Sequence, residues 1–349
     1  MTTDVNSIKQ ALQRHLSSGL VLIIGSGLSC AEGLPGMGNL IQHLSKSNPK
    51  DDGVSEDIIP WDNLLKSMNE KGLEAALHEN NISSELADFI RKEIAKCIIV
   101  PEKEIIRETL YGTKTLKFSR LLPHLPSNER LPIITTNYDR LIELSAEMTG
   151  YHVDTKSSGF YHAHFSKTEN QFAFCSKIIP TKSRGFRKIE KKCISLYKPH
   201  GSLDWTQING HPIRTAFNVD PDRTLIITPG QNKYRAGYDS PFDMQRELAN
   251  KCINDASRFL IIGYGFNDNH LEVHLKKKLL SGTPTVLMTH SLTDNAKLYQ
   301  SLNGSMISLE HSQKNPSGTT VHINGSTIEI PDKNMWDVEE FAKEVMGDD

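Results

Sequence analysis

Four short apolar runs in this chain are each followed at once by glycines or polar side chains. Leu20–Ile24 leads into Gly25-Ser26-Gly27, and Leu131–Thr135 into Thr136-Asn137-Tyr138-Asp139. Cys193–Tyr197 leads into Lys198-Pro199-His200-Gly201-Ser202, and Phe259–Ile262 into Gly263-Tyr264-Gly265-Phe266-Asn267-Asp268. Leu20–Ile24 is wholly apolar over five residues, the kind of run that a strand buried on both faces of a parallel sheet shows, and the other three are short and mainly apolar. Ligands of open parallel sheets bind outside the carboxyl ends of the strands, so the four termini are expected to surround one crevice.

The rest of the chain supplies the other layers. Helical periods cover Val5–Leu16, a stretch from Gly38 or Asn39 to Leu44, Arg140–Thr149 (stopped by Gly150), Met244–Ala256, Asn269–Leu280 and Thr293–Leu302. Further strands are expected at Leu225–Thr228 and Pro284–Thr289. Strand and helix alternate at the spacing of βαβ units, which predicts an α/β fold: a Rossmann-like parallel sheet with helices on both faces. Trp61–Tyr111 is helical instead. Ile82, Leu86, Phe89, Ile90, Ile94 and Cys97 share one helix face, with Ser83 as N-cap. This marks a helical insertion over about residues 45–125, opening with a polar loop at Ser45–Glu56. The end of the chain, about 305–349, reads as a hairpin at Val321–Ile330, turning on Asn324-Gly325, and an amphipathic helix at Trp336–Val345. The reading is one domain over residues 1–349.

Composition excludes several classes. With 40 Lys and Arg against 42 Asp and Glu, the chain is too balanced to advertise nucleic-acid binding, and 37% hydrophobic content is too high for disorder. No apolar stretch approaches the ~20 residues of a membrane span, and no export signal is read at the N-terminus. The five cysteines are widely spaced without a C-x-x-C, as expected of reduced thiols in the cytoplasm with no disulfide framework and no cysteine metal site.

Each strand end has its own chemistry. Gly25 and Gly27 would let the backbone approach a diphosphate, with a tight strand-to-helix turn as the plainer alternative. Cys30 stands where a dehydrogenase fingerprint needs its third glycine, and no Gly-Lys-Ser/Thr follows. Asn137 or Asp139 could cap the Arg140–Thr149 helix while the other faces a ligand. His200, between a proline and a glycine at a strand end, suits a general base.

Taken in order, these segments resemble a sirtuin domain. Sirtuins carry a Gly-Ala-Gly-x-Ser cofactor loop, a Thr-Gln-Asn-x-Asp strand end, a His-Gly pair and a late glycine-rich strand end. Here they read Gly25-Ser26-Gly27-Leu28-Ser29 with Gly33-Leu34-Pro35, then Thr136-Asn137-Tyr138-Asp139, His200-Gly201 and Gly263-Tyr264-Gly265, over about residues 20–290. The forms Thr-Thr-Asn-Tyr-Asp, His-Gly-Ser-Leu-Asp-Trp and Gly-Tyr-Gly-Phe-Asn-Asp are similar to the divergent sirtuin-like domains of bacterial antiphage defence. There the domain hydrolyses NAD+ to nicotinamide and ADP-ribose and depletes the infected cell. The zinc module of sirtuin deacylases needs two C-x-x-C pairs after the His-Gly, and only Cys252 follows here. The Phe-Arg that deacylases carry after the loop proline is replaced by Gly36-Met37.

The resemblance implies NAD+ as substrate with no metal, Asn137 and His200 as catalytic residues, and Gly25, Ser26, Gly27, Ser29, Asp139, Gly263, Tyr264 and Gly265 against the cofactor. Asn137 would hold ribose hydroxyls or the attacking water, Asp139 the nicotinamide carboxamide, and His200 would take a proton. It also implies a homo-oligomer and a partner such as a HerA-like ATPase, an Argonaute or another phage sensor. The rival readings are a module that senses NAD+ or ADP-ribose without turnover and an NAD-dependent protein deacylase. Other signals are weaker. His270 and His274 lack the zincin glutamate spacing, His162 and His164 read as an exposed strand face, and the basic run Lys182–Lys192 as a solvated loop.

Overall fold

A computed structural model describes residues 5–54, 59–126, 130–167, 174–181, 185–228 and 240–348. The apolar runs form strands β1 (Leu20–Ile24), β2 (Leu131–Thr135), β4 (Cys193–Tyr197) and β5 (Arg258–Ile262). With β3 (His152–Asp154), β6 (Thr285–Thr289), β7 (Met306–His311), β8 (Thr319–Ile323) and β9 (Ser326–Ile330) they make a nine-stranded sheet of order β9-β8-β7-β6-β5-β1-β2-β4-β3. All pairings from β7 to β3 are parallel, and β8 and β9 close one edge antiparallel. From β1 the chain first builds outward through β2, then returns to β5 on the other side of β1. That reversal is a topological switch point, where the loops leaving two neighbouring strands diverge and open a crevice.

Because successive side chains of a strand point to opposite faces, β1 feeds two cores. Leu20, Leu22 and Ile24 pack with α1 (Val5–His15), α7 (Lys117–Leu121), α8 (Leu141–Met148) and α12 (Val338–Phe341). Val21 and Ile23 pack with α9 (Phe242–Asp255), α10 (Asn269–Leu280) and α11 (Asp294–Leu302). The expected α/β architecture with helices on both faces is therefore the one observed. The helical segment has a core of its own: α3 (Met37–Leu44), α4 (Trp61–Lys71), α5 (Leu73–Glu79) and α6 (Ser84–Leu110) bury Leu44, Leu64, Met68, Leu77 and Phe89 together. Ser83 caps α6, its hydroxyl accepting from the Leu86 N–H at 3.1 Å.

Several elements differ from the sequence reading. A short helix, α2 (Ser26–Ala31), starts one residue after β1, where no apolar period announces it. The strand expected at Leu225–Thr228 is not part of the main sheet. Leu225–Ile226 pairs antiparallel with Gly201–Ser202, because Gly201 adopts φ +86° and presses its backbone against Leu225. Pro229 and Gly230 lie outside the described residues. Strand β7 has no counterpart in the sequence reading; the hairpin forms at Asn324 and Gly325, at φ 51° and 71°, and through β7 it extends the sheet. The last helix begins after Trp336, because the Asp337 carboxylate accepts from the N–H groups of Glu339 and Glu340 and fixes its start; a π turn at Ala342–Met346 follows. The basic run holds a strand at Phe186–Glu190, with Lys182–Arg184 outside the described residues.

Two contacts hold the strand-end loops. First, the loops after β1 and β5 touch backbone to backbone. A Cβ on Gly27 would lie 2.6 Å from the Gly263 Cα, and Gly263 itself adopts φ +57°. Second, the ammonium of Lys198, 2% exposed, joins the loop after β4 to the loop after β2. It donates to the Asp139 carbonyl at 2.5 Å, to Glu143 Oε1 at 3.1 Å and to Ser202 Oγ at 3.0 Å. Burial pushes the Glu143 carboxyl above its usual range, while the Lys198 ammonium pulls it back.

Two outcomes follow for stability. Gly263→Ala combines a left-handed backbone with a backbone clash and is expected to destabilise by about 2–4 kcal/mol, read from the urea midpoint at unchanged m-value. A loss below ~0.5 kcal/mol would contradict the contact. Lys198→Met leaves Glu143 buried without its cation and is expected to cost about 3–5 kcal/mol, with part of it recovered in the Lys198→Met/Glu143→Leu double variant. Strict additivity of the two substitutions would refute the coupling.

Candidate active site

The carboxyl ends of β5, β1, β2 and β4 open into one cleft at the switch point. Its enclosed volume is about 210 Å³. Gly25, Ser26, Ser29, Asn137, Asp139, His200, Gly263, Tyr264 and Gly265 all line it. Of the expected site residues, only Gly27 is not among the lining residues; it packs beneath, against Gly263. The four strand ends thus meet as their pattern predicts.

The floor is a chain of short hydrogen bonds. The Asn137 side-chain N–H groups donate to the Gly25 carbonyl at 2.9 Å and to Ser29 Oγ at 2.7 Å. Ser29 Oγ in turn donates to Asp139 Oδ2 at 2.6 Å. The other carboxylate oxygen of Asp139 accepts from the N–H of Leu141, the first residue of α8, at 3.1 Å. Since a carbonyl can only accept, the contact with Gly25 fixes the orientation of the Asn137 amide. Both of its hydrogens are then committed, and its Oδ1 is buried without a hydrogen-bond partner. A buried acceptor left unpaired costs free energy, so this atom calls for a donor from a ligand or water.

The glycine loop is tied up in a different way from the diphosphate cradle expected of it. The Gly25 N–H donates to the Ile262 carbonyl, Gly27 to Gly263 and Leu28 to Gly25. A Cβ on Gly25 would meet the Gly263 carbonyl oxygen at 2.4 Å. Packing of the two loops therefore already demands glycine at both positions. Ser26, exposed at the start of α2, puts a second polar side chain of this loop, besides Ser29, into the cleft wall.

The wall is acidic. Glu74, Asp139 and Asp268 line it, with His200, and no lysine or arginine does so among the described residues. His200 Nε2 lies 2.5 Å from Asp268 Oδ2. The Tyr264 phenol is pushed well above its usual range by burial and by Asp268 and Glu272, so it stays neutral. Tyr138 is raised for the same reason of burial and donates from its hydroxyl to the Ile227 carbonyl at 2.7 Å. Leu34, Pro35, Met37, Leu40 and Ile98 make the apolar side.

Sequence reasoning missed Glu74 and Asp268 as site residues. Glu74 comes from α5, and only the packing of the helical segment brings it here. Asp268 lay in the quoted strand end, and its place before α10 was a legible capping signal: its Oδ1 accepts from the Leu271 N–H at 3.4 Å. The remaining histidines are placed elsewhere. His162 and His164 stack edge to face at 4.5 Å, and His274 Nδ1 lies 3.0 Å from Asn254 Oδ1, while the His270 side chain lies outside the described residues. Among the described residues no group of three or more His, Cys, Asp or Glu is placed to hold a metal ion, and no helix is long and apolar enough to cross a membrane.

Comparison with known proteins gives the family. A search of the curated proteins returns no match. Among solved structures, the chain is similar to a Sir2 in complex with the inhibitor EX-527, 2′-O-acetyl-ADP-ribose and a deacetylated p53 peptide. Identity there is 14% and the TM-score 0.42, over 94% of this chain and 92% of that one. It is also similar to a Sir2 homologue in complex with NAD, at 12% identity and a TM-score of 0.36, over 97% and 92%. The model of the SIR2-like domain family matches residues 132–311, just over half of the chain, from β2 through β7. The chain belongs to the SIR2-like family.

Proposed function

We propose that this chain hydrolyses the bond between nicotinamide and ribose in NAD+, releasing nicotinamide and ADP-ribose. The observation that carries the reading is the Asn137 amide. Its two N–H groups are spent on Gly25 and Ser29, and its bare Oδ1 is an acceptor in the wall of a cleft that His200 also lines. A hydroxyl of the ribose or the attacking water supplies the donor that this atom lacks.

The reaction breaks the C1′–N bond, and the bonding pair leaves with nicotinamide, which departs neutral. Water adds to C1′, and its proton passes to the imidazole of His200. The sugar passes through an oxocarbenium-like state. Glu74, Asp139 and Asp268 surround this developing cation with negative charge, in a cleft wall free of competing lysine or arginine among the described residues. Asp139 keeps lone pairs beyond those used by Ser29 and Leu141, enough to accept from a carboxamide N–H. Ser26 and the start of α2 suit the diphosphate, with Gly25, Gly27, Gly263, Tyr264 and Gly265 as the surface along which the dinucleotide lies.

All of these groups come from this chain, and activation through a partner or assembly is part of the reading. Depletion of NAD+ in antiphage defence, in the cytoplasm, is the role the resemblance supports. A homo-oligomer and a sensor such as a HerA-like ATPase would then set the rate. A non-hydrolytic sensing module would need the glycine loop but no proton acceptor, and a deacylase would need an acyl-lysine substrate.

His200→Ala and Asn137→Ala are expected to keep a native circular dichroism spectrum. Chromatography of NAD+ incubations should show nicotinamide release slowed about 10²–10⁴-fold in each. Full turnover in either variant would overturn the assignment.

A further inference from the structure

The apolar side of the cleft is the edge of the helical core. Leu34, Leu40 and Ile98 belong to that core and line the cleft. Among the described residues, Glu74 is the ionisable side chain that the helical segment adds to the lining. Its neighbours fix its place. Leu73, Ala76 and Leu77 of α5 are buried in the helical core, so α5 cannot turn Glu74 away without unpacking them. Asp268 reaches the same stretch of cleft from the loop after β5. Burial raises the phenols of Tyr138 and Tyr264, and Glu74 and Asp268 each raise both of them further. Asn137 lines this cleft too, with its buried Oδ1 lacking a hydrogen-bond partner, which marks the place as one where a ligand binds. An acid in the first turn of α5 also suits the helix dipole, but for that role the cleft is immaterial.

We propose that Glu74 is a specificity-determining residue that selects, by charge, dinucleotides whose ring end is a net cation. The pyridinium ring of NAD+ is flat and positively charged. The apolar side of the cleft suits its faces, and a carboxylate set in an apolar wall acts on a charge more strongly than one in water. NADH has a neutral ring. Nicotinic acid adenine dinucleotide keeps the pyridinium but carries a carboxylate on it, so its ring end has no net charge. The two have lost one unit of positive charge by different chemistry, and a selection by charge rejects both. During cleavage the positive charge moves from the ring to the ribose within the same cleft. Glu74 therefore attracts the ground state and the transition state alike, and its loss appears in KM more than in kcat. The role of Glu74 rests on the hydrolase reading above for where the nicotinamide end lies, beside Asn137 and His200, and not for turnover itself.

The test is calorimetric binding to full-length His200→Ala, in which slowed turnover lets NAD+ persist. NAD+ is expected to bind about tenfold more tightly than either NADH or nicotinic acid adenine dinucleotide. Adding Glu74→Gln keeps the shape and removes the charge, and it is expected to cut both preferences about fivefold, while Glu74→Asp keeps most of each. Each preference is a ratio of affinities within one protein, so a loss of folded material does not change it. Equal binding of the three dinucleotides, or preferences untouched by Glu74→Gln as a helix-dipole role requires, overturns the proposal. If the preferences fall as expected while the parent protein releases no nicotinamide, the role of Glu74 stands and the hydrolase reading fails.

Discussion

Parallel pairing of β5, β1, β2 and β4 decides where everything else goes. Once these four strands run side by side in one direction, their carboxyl ends must share an edge, and each polar loop that follows must find partners there. Two of the loops meet through glycine backbones at Gly27 and Gly263. The third supplies Asn137 and Asp139, bound to the first through Ser29. The fourth brings His200. The cleft is the space these loops leave between them, and its unpaired acceptor on Asn137 is a consequence of satisfying the Gly25 carbonyl and Ser29.

Buried charge keeps the loops in register. The Arg140 side chain forms a two-pronged pair with Glu102 of α6, Nε to Oε1 at 3.1 Å and Nη2 to Oε2 at 2.7 Å, and Glu102 is fully buried. Lys198 grips the same loop from the β4 side. Buried pairs of this kind contribute little net stability compared with well-packed apolar residues, since desolvation opposes their attraction. What they supply here is geometry. Asn137-Tyr138-Asp139 is clamped between a cation from the β4 loop and an anion from the helical segment, so the helical segment takes part in shaping the site from which Glu74 also projects.

The frame was largely legible in the sequence because burial on both faces leaves a strong apolar signature. Leu20–Ile24, Leu131–Thr135 and Cys193–Tyr197 are strands over those same residues. Where the signature is weak, tertiary pairing decides. Met306–His311 mixes Ser308, Glu310 and His311 with apolar residues and becomes a strand only because β6 and β8 flank it. Leu225–Ile226 has the composition of a core strand, yet the left-handed Gly201 captures it away from the sheet. The convergence of Asn137, Asp139 and His200 followed from strand order. The close approach of His200 and Asp268 did not, because their parent strands are separated by two others and no local pattern encodes it.

The central claim is that water, and not an acyl-lysine, attacks C1′ of NAD+ in this cleft. Incubating the purified chain with NAD+ in H₂¹⁸O, with and without an acetyl-lysine peptide, tests it most directly. The account predicts nicotinamide and ADP-ribose bearing ¹⁸O at C1′, formed at the same rate with or without peptide. Nicotinamide released only when the peptide is present, or NAD+ bound calorimetrically with no release at all, would contradict it.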